Sequence, residues 1–420
     1  MASPWPLKTL RVQEDATDPS CEAVSVFPGQ VLAPYMTACL PEEAFLWSRV
    51  SPEWMRRWQQ PDVWTPFRID FEGRRIGNRG AQGAASRVPR QTKTVDACFR
   101  TSGVCEEGAR AFAERVPPGL THLYLDFGFC KIGEEGARAV AERLPPGLTH
   151  LYLGFACCRI GDAGARAVAE RLPPGLTHLD LDFAGCGIGD AGARAVAEHL
   201  PPGLTCLDLD FCNCNILDAA LAVAERLPPR LTQLSLAFGD PQIHDLRNAV
   251  RLDAGARAVA ERLPLLGLTW LYLDFGGCWL DDAVASAVAE RLPPGLTQLT
   301  LNFGGCCIRE AGVRALAERL PPGLTQLSLG FGDPNTDDSW NAAHWDAGAR
   351  AVAERLPLGL TCLELNFGGC WIGDAVASAV AERLPPGLTQ LSLNFGHPRL
   401  GRRARGERSC ASGSSRWRLF

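Results

Sequence analysis

The sequence predicts an α/β solenoid, with parallel strands on a concave face and helices on a convex one, and three observations carry that prediction. A segment of 28 residues recurs in tandem: from Leu120 the chain reads LTHLYLDFGFCKIGEEGARAVAERLPPG, and from Leu148 it reads LTHLYLGFACCRIGDAGARAVAERLPPG. Hydrophobic periodicity changes inside each copy. Leu123, Leu125 and Phe127 alternate as in a half-buried strand, whereas Gly136, Val140 and Leu144 fall four apart, as on one buried stripe of a helix. Each copy then closes on Pro-Pro-Gly, which a helix cannot continue through, because proline has no N–H and its ring clashes with the preceding turn.

Unit starts recur at Leu176, Leu204, Leu231, Leu268, Leu296, Leu324, Leu360 and Leu388. Counting back from Leu120 reaches Thr92 and Trp64, whose units are degenerate but keep apolar residues in the same slots, so about twelve units span residues 64–395. In the strand, slots alternate between a buried face and the concave face. At the helix start, an acid such as Asp162 or Asp190 precedes AGARAV, where its carboxylate is expected to cap the helix that follows. Alanine at most helical positions permits close packing on the strands, and Arg166 and Glu170 form a solvated face. At the helix end, the glycine of Pro173-Pro174-Gly175 is expected to let the chain swing into the next strand. One such unit cannot bury its own apolar face, so the array is expected to fold as a stack.

Composition narrows the function. No run approaches the roughly 18 apolar residues a membrane helix needs, and the first twenty residues lack a signal-peptide core, so a cytoplasmic or nuclear protein is expected. Net charge is −5, but the 22 residues from Arg399 carry seven arginines against one glutamate, which leaves an acidic body of −11. Such a body repels nucleic acid. Seventeen cysteines in 420 residues are too dilute for a disulfide scaffold, and reduced thiols are expected.

The repeating unit, with Cys130, Ile132, Gly136, Val140 and Leu144 in order, resembles the ribonuclease-inhibitor class of leucine-rich repeats. The resemblance implies a horseshoe and a protein partner on its concave face. Here Phe127 stands between the last strand leucine and Cys130, so a strand longer by a residue pair than the family pattern is expected. Cys130, Cys158, Cys186, Cys214, Cys278, Cys306 and Cys370 share one slot. A straight column of that kind cannot place four sulfurs around one zinc, so small buried residues bonding to neighbouring backbone are expected instead. His122, His150 and His178 share a strand slot, and their outer pair is too far apart for one ion.

Read as a surface, the concave face carries His122, Tyr124 and Asp126, then His150 and Tyr152, then His178, Asp180 and Asp182, then Asp208 and Asp210, and later Trp270 and Tyr272. Beyond these it turns to Gln298, Thr300, Asn302, Gln326 and Ser328. Aromatic rings provide rigid anchors and carboxylates steer a basic partner, so the first half is the expected docking site, against the plain alternative of solubility. Two units carry an insertion of about eight residues between strand and helix, after Phe238 and Phe331. Trp340 and Trp345 in the second are expected to make rim contacts, although duplication of a whole block explains the likeness of the two loops equally well.

Residues 1–24 are expected to be disordered. Residues 25–63, with Phe27-Pro28, Val31, Leu32, Val50 and Trp54, resemble an F-box, although Phe27 stands for the usual leucine and Pro34 interrupts the first helix. The resemblance implies that these six residues dock a Skp-type adaptor and that the chain is the substrate-recognition subunit of a cullin-type ubiquitin ligase. A helical cap over the first strand would use similar residues, and a free-standing inhibitor or recognition module of the NOD-like-receptor type is the alternative. Residues 396–420 are expected to be a basic disordered tail. No catalytic constellation, cofactor motif or metal site is expected, and the chain is read as a monomer outside its complex.

Overall fold

A computed structural model describes residues 67–216, 218–239, 246–263, 266–332, 342–368, 372 and 374–395, with backbone alone at 246–251, 342–345 and 374–376. The described residues fall into two compact units, one up to residue 188 with 199–204 and one of 189–198 with those from 205 on. The F-box-like segment and the basic tail lie outside the described residues.

In the first unit the strands β1 (Phe67–Asp70), β2 (Thr94–Cys98), β3 (His122–Asp126), β4 (His150–Gly154) and β5 (His178–Asp182) pair in parallel and in chain order. They alternate with helices α1 (Gly77–Arg87), α2 (Glu106–Ala113), α3 (Gly133–Ala141) and α4 (Gly161–Ala169). The register sets each residue against its copy, Leu123 against Leu151 and Tyr124 against Tyr152. The second unit opens on α5 (Asp190–Glu198) and continues through β6 (Cys206–Asp210), α6 (Ala219–Arg226), β7 (Gln233–Ala237), α7 (Leu246–Arg262), β8 (Trp270–Asp274), α8 (Asp282–Glu290), β9 (Gln298–Asn302), α9 (Glu310–Glu318), β10 (Gln326–Gly330), α10 (Ala342–Arg355), β11 (Cys362–Asn366), α11 (Asp374–Glu382) and β12 (Gln390–Asn394). Its strands likewise pair parallel and in order, each joined to the next by a helical crossover.

Three columns of identical side chains explain why the copies stack. Phenylalanines stack ring on ring at 5.4–6.3 Å through Phe99, Phe127, Phe155 and Phe183 in the first unit, and through Phe238, Phe275 and Phe303 at 6.0–6.1 Å in the second. Each such ring, fully buried, contributes roughly 2–3 kcal/mol of transfer free energy. Cysteine thiols reach back to the preceding copy: Cys130 Sγ donates to Phe99 O at 3.1 Å, Cys158 Sγ to Phe127 O at 3.0 Å and Cys306 Sγ to Phe275 O at 3.0 Å. Threonine hydroxyls do the same on the other side, Thr149 Oγ1 to Thr121 O and Thr297 Oγ1 to Thr269 O. The cysteines are thus structural donors, as expected from their spacing.

Helix packing depends on one glycine. A Cβ on Gly136 would stand 2.6 Å from Ile132 Cγ2 and 3.2 Å from the Glu106 Cα, and one on Gly164 would stand 2.8 Å from Ile160 Cβ. Adjacent helices therefore approach closely at this slot.

Three local expectations are corrected. The strands from β2 onward have five residues and do not take in Leu120 or Phe127: Leu120 closes the preceding turn, its N–H on Pro117 O, and Phe127 follows the strand. The Pro-Pro-Gly glycines Gly147 and Gly175 are not among the residues with positive φ, because the turn closes through bonds such as Leu148 N to Pro145 O at 3.3 Å in ordinary backbone geometry. The acids at the helix start also act differently. α4 shows no side-chain cap, and Asp162 lies inside its first turn. Asp190 Oδ1 instead accepts from Asp218 N at 2.8 Å and Ala219 N at 2.9 Å, and Asp282 Oδ1 from Arg309 N and Gly312 N, so each caps the helix of the next copy. Asp281 does cap its own helix, accepting from Ala283 N at 2.9 Å and Val284 N at 3.3 Å.

Candidate functional site

The face of each sheet turned away from the helices carries the third, fifth and seventh residues of every repeat. On β3, β4 and β5 the third slot is a histidine column. Ring centroids of His122 and His150 lie 4.1 Å apart and those of His150 and His178 4.0 Å, nearly parallel. Each Nδ1 sits 2.9 Å from the hydroxyl of the preceding threonine, Thr121, Thr149 or Thr177. Those hydroxyl protons are already committed to carbonyl oxygens of the previous copy. The imidazole must therefore donate, which assigns the proton to Nδ1. His150 and His178 are buried, and His122 is half-buried. Rings stacked in this way present parallel faces to each other, unlike ligands converging on one ion.

The fifth slot continues the pattern. Tyr124 and Tyr152 stack at 4.0 Å and 6°, half-buried, and burial holds both phenols well above their ordinary pKa, so they act as hydrogen-bonding groups rather than acids. Asp180 follows on β5, half-buried. In the second unit Asp208 is half-buried, whereas Trp270 and Tyr272 are 6% and 0% exposed and pack with Ala237. Those two rings were expected as partner anchors. The structure corrects this: they fill a cluster on the sheet, and the Tyr272 hydroxyl donates to Asp274 Oδ2 at 3.1 Å.

The seventh slot closes the strand. Asp126 Oδ1 accepts from Gly128 N at 2.7 Å, Asp182 Oδ1 from Ala184 N at 3.1 Å, Asp210 Oδ1 from Cys212 N at 2.8 Å and Asp274 Oδ1 from Gly276 N at 2.9 Å. Each is an Asx turn that satisfies backbone leaving the sheet. Asp126 and Asp210 are buried, which corrects the expectation of solvent-facing carboxylates there, while Asp182 is half-buried. Burial raises the Asp126 pKa to about 6 even though the Gly128 amide and the Arg100 guanidinium, 3.5 Å away, favour its ionised form. Gly154 in the same slot makes room for it, since a Cβ there would stand 2.7 Å from Asp126 Oδ1.

The half-exposed remainder in the first unit is His122, Tyr124, Tyr152, Asp180 and Asp182. In the second unit exposure increases toward the end of the chain: Gln298, Thr300 and Ser328 are half-buried, and Gln326, Gln390 and Ser392 are exposed. Sequence reasoning ranked the aromatic half above this amide-rich one, and burial of Trp270 and Tyr272 removes part of that ranking. Of the rim residues, Trp345 lies on α10 and Trp340 outside the described residues. Phe27, Pro28, Val31, Leu32, Val50 and Trp54 are also outside them.

Sequence reasoning passed over one cluster of metal-ligand atoms. Ligand atoms of Asp70, Glu72 and Cys98 lie within 4.8 Å of one another at the ends of β1 and β2. Burial pushes the Cys98 thiol up, away from the thiolate a metal requires, and both carboxylates are exposed. Among the described residues nothing else points to an ion there. No described helix is long and apolar enough to cross a membrane.

Residues 120–141, 148–169 and 176–197 match the family model described as Leucine Rich repeat, so the chain carries leucine-rich repeats. No curated protein gives a significant match. Similar solved structures include the Rad7 and Elc1 complex in yeast, at 16% identity, a TM-score of 0.46 and coverage of 78% of this chain and 80% of that one. Another is the leucine-rich repeat-containing protein LegL7 from Legionella pneumophila, at 14% identity, a TM-score of 0.40 and coverage of 76% and 96%.

Proposed function

We propose that the chain is a protein-binding scaffold whose strand face holds a partner. The observation that carries this reading is the register of β3–β5, which sets Tyr124 beside Tyr152 and Asp180 beside the latter on a sheet whose every strand is tied to the next. Rigid, half-exposed aromatic groups lose little side-chain entropy when covered, and carboxylates beside them favour a basic, hydrogen-bonding protein surface. The scaffold performs no bond chemistry in this reading.

The finer form of the proposal is a substrate receptor of a cullin-type ubiquitin ligase, with Phe27, Pro28, Val31, Leu32, Val50 and Trp54 docking a Skp-type adaptor. It rests on the F-box resemblance of residues 25–63 followed by repeats. Affinity purification of the full chain, of Trp54→Ala and of Tyr124→Ala/Tyr152→Ala tests both levels. The adaptor is expected to be lost with Trp54→Ala alone, and the cargo with the tyrosine pair alone. Absence of a Skp-type adaptor from the wild-type eluate would refute the ligase reading, and a cargo set unchanged by the tyrosine pair would refute the strand-face reading.

A further inference from the structure

A second surface lies where the chain leaves the strands of the first unit, away from the columns described above. The tenth residue of a repeat adopts the left-handed backbone region there, with φ of 70° at Gly73 and 63° at Gly185. Glycine takes that conformation without strain, and side chains take it poorly. Phe129 nevertheless occupies the slot at φ 59°, and its ring is 55% exposed. The same slot holds Thr101 at φ 56° and Cys157 at φ 57° in the flanking copies, so what sets Phe129 apart is a bulky apolar side chain turned to solvent, and exposed apolar groups of that kind mark contact sites. The ring is also oriented: the Arg100 guanidinium carbon stands 4.8 Å from its centroid, while the Arg100 Nη1 reaches back toward Asp126.

Beside the ring lies an open groove of about 380 Å³. Arg75 and Lys131 line it, both exposed, along with Thr101 and Gly103, and no carboxylate is among its lining residues. On the helices that start beside it, Glu134 and Glu135 are engaged by Arg138 at 2.6 and 3.8 Å, Glu106 by Arg110 at 2.9 Å and Glu107 by Asn78 Nδ2 at 2.9 Å. A basic groove with one apolar wall thus sits on a chain whose body is otherwise acidic.

We propose that this groove is a docking site for an acidic peptide segment of a partner protein, whose carboxylates pair with Arg75 and Lys131 while an apolar side chain covers Phe129. A polynucleotide fits less well, because single-strand binders present successive stacking platforms, whereas this groove is lined by the one ring of Phe129. The proposal stands apart from the strand-face reading, since it uses different residues on a different edge.

The test is fluorescence anisotropy on the full chain with a labelled peptide of glutamates around one central phenylalanine. Its comparators are the same peptide with glycine in place of the phenylalanine, and an oligodeoxythymidine of equal charge. Binding of the first peptide is expected to weaken about tenfold in Phe129→Gly, a change the slot accepts, and about tenfold in Arg75→Ser/Lys131→Ser. The glycine comparator should bind more weakly to wild type but equally to Phe129→Gly. Tyr124→Ala/Tyr152→Ala should leave the affinity unchanged. Absence of binding to wild type at millimolar peptide, an affinity unaltered by both groove variants, or oligodeoxythymidine binding as tightly as the peptide would each overturn the proposal.

Discussion

Replacing Asp126 by asparagine isolates one buried charge. Asp126 is 4% exposed, and its pKa moves from 3.8 to about 6 in the folded protein, chiefly because burial penalises the ionised form. Between those values the folded state retains a proton that the unfolded chain has released, so stability is greatest below the unfolded pKa and is lost as pH rises through the folded one. A shift of about two units at 1.36 kcal/mol each corresponds to roughly 3 kcal/mol across this window. Asparagine keeps an oxygen for the Gly128 amide but does not titrate. Urea unfolding of wild type and Asp126→Asn, followed by circular dichroism from about pH 3.5 to 7, should therefore give stability curves that converge or diverge by roughly 3 kcal/mol, with wild type losing ground as pH rises. The loss of the Arg100 contact adds only a term that leaves this sign intact. Parallel curves, or wild type gaining on the variant toward neutral pH, would refute the burial argument.

Three further outcomes follow from the packing. Phe155→Ala, which empties a fully buried place between Phe127 and Phe183, should cost about 3–5 kcal/mol, read as a shift in urea midpoint. Asp190→Ala should cost about 1 kcal/mol and accelerate amide exchange at Asp218 and Ala219 of the neighbouring helix, leaving its own helix less affected. In native alkylation with iodoacetamide read by mass spectrometry, the exposed Cys157 and Cys307 should react at least about a hundredfold faster than their buried or half-buried neighbours Cys158 and Cys306. Burial raises both of those thiols, that of Cys306 to about 12.

Much of the local architecture was legible because each repeat states its own periodicities. Alternation around Leu123 and Leu125 and the four-residue spacing of Gly136 and Val140 depend on single-strand and single-helix geometry alone. The cysteine slot was legible for the same reason, since a fixed offset in seven of the copies implies a contact between copies. The open face was less so. Trp270 and Tyr272 occupy slots that look outward from alternation, and the structure buries them because neighbouring side chains on the same face can lie over one another. Alternation records which side of the sheet a residue takes, not what covers it there.

Sequence by itself determined the repeat length, the order of strand and helix, the recurrence of the phenylalanine and cysteine slots, and the residue types offered on the open face, because these follow from backbone periodicity and from copying. Only the tertiary structure decided that Asp190 and Asp282 cap the next helix, that Asp126 sits protected beneath Gly154 and Arg100, and that Phe129 stands exposed beside a basic groove. Those outcomes depend on which atoms of an adjacent copy come to lie within about 3 Å, and hydrogen bonding and desolvation at that distance are set by three-dimensional approach rather than by spacing along the chain.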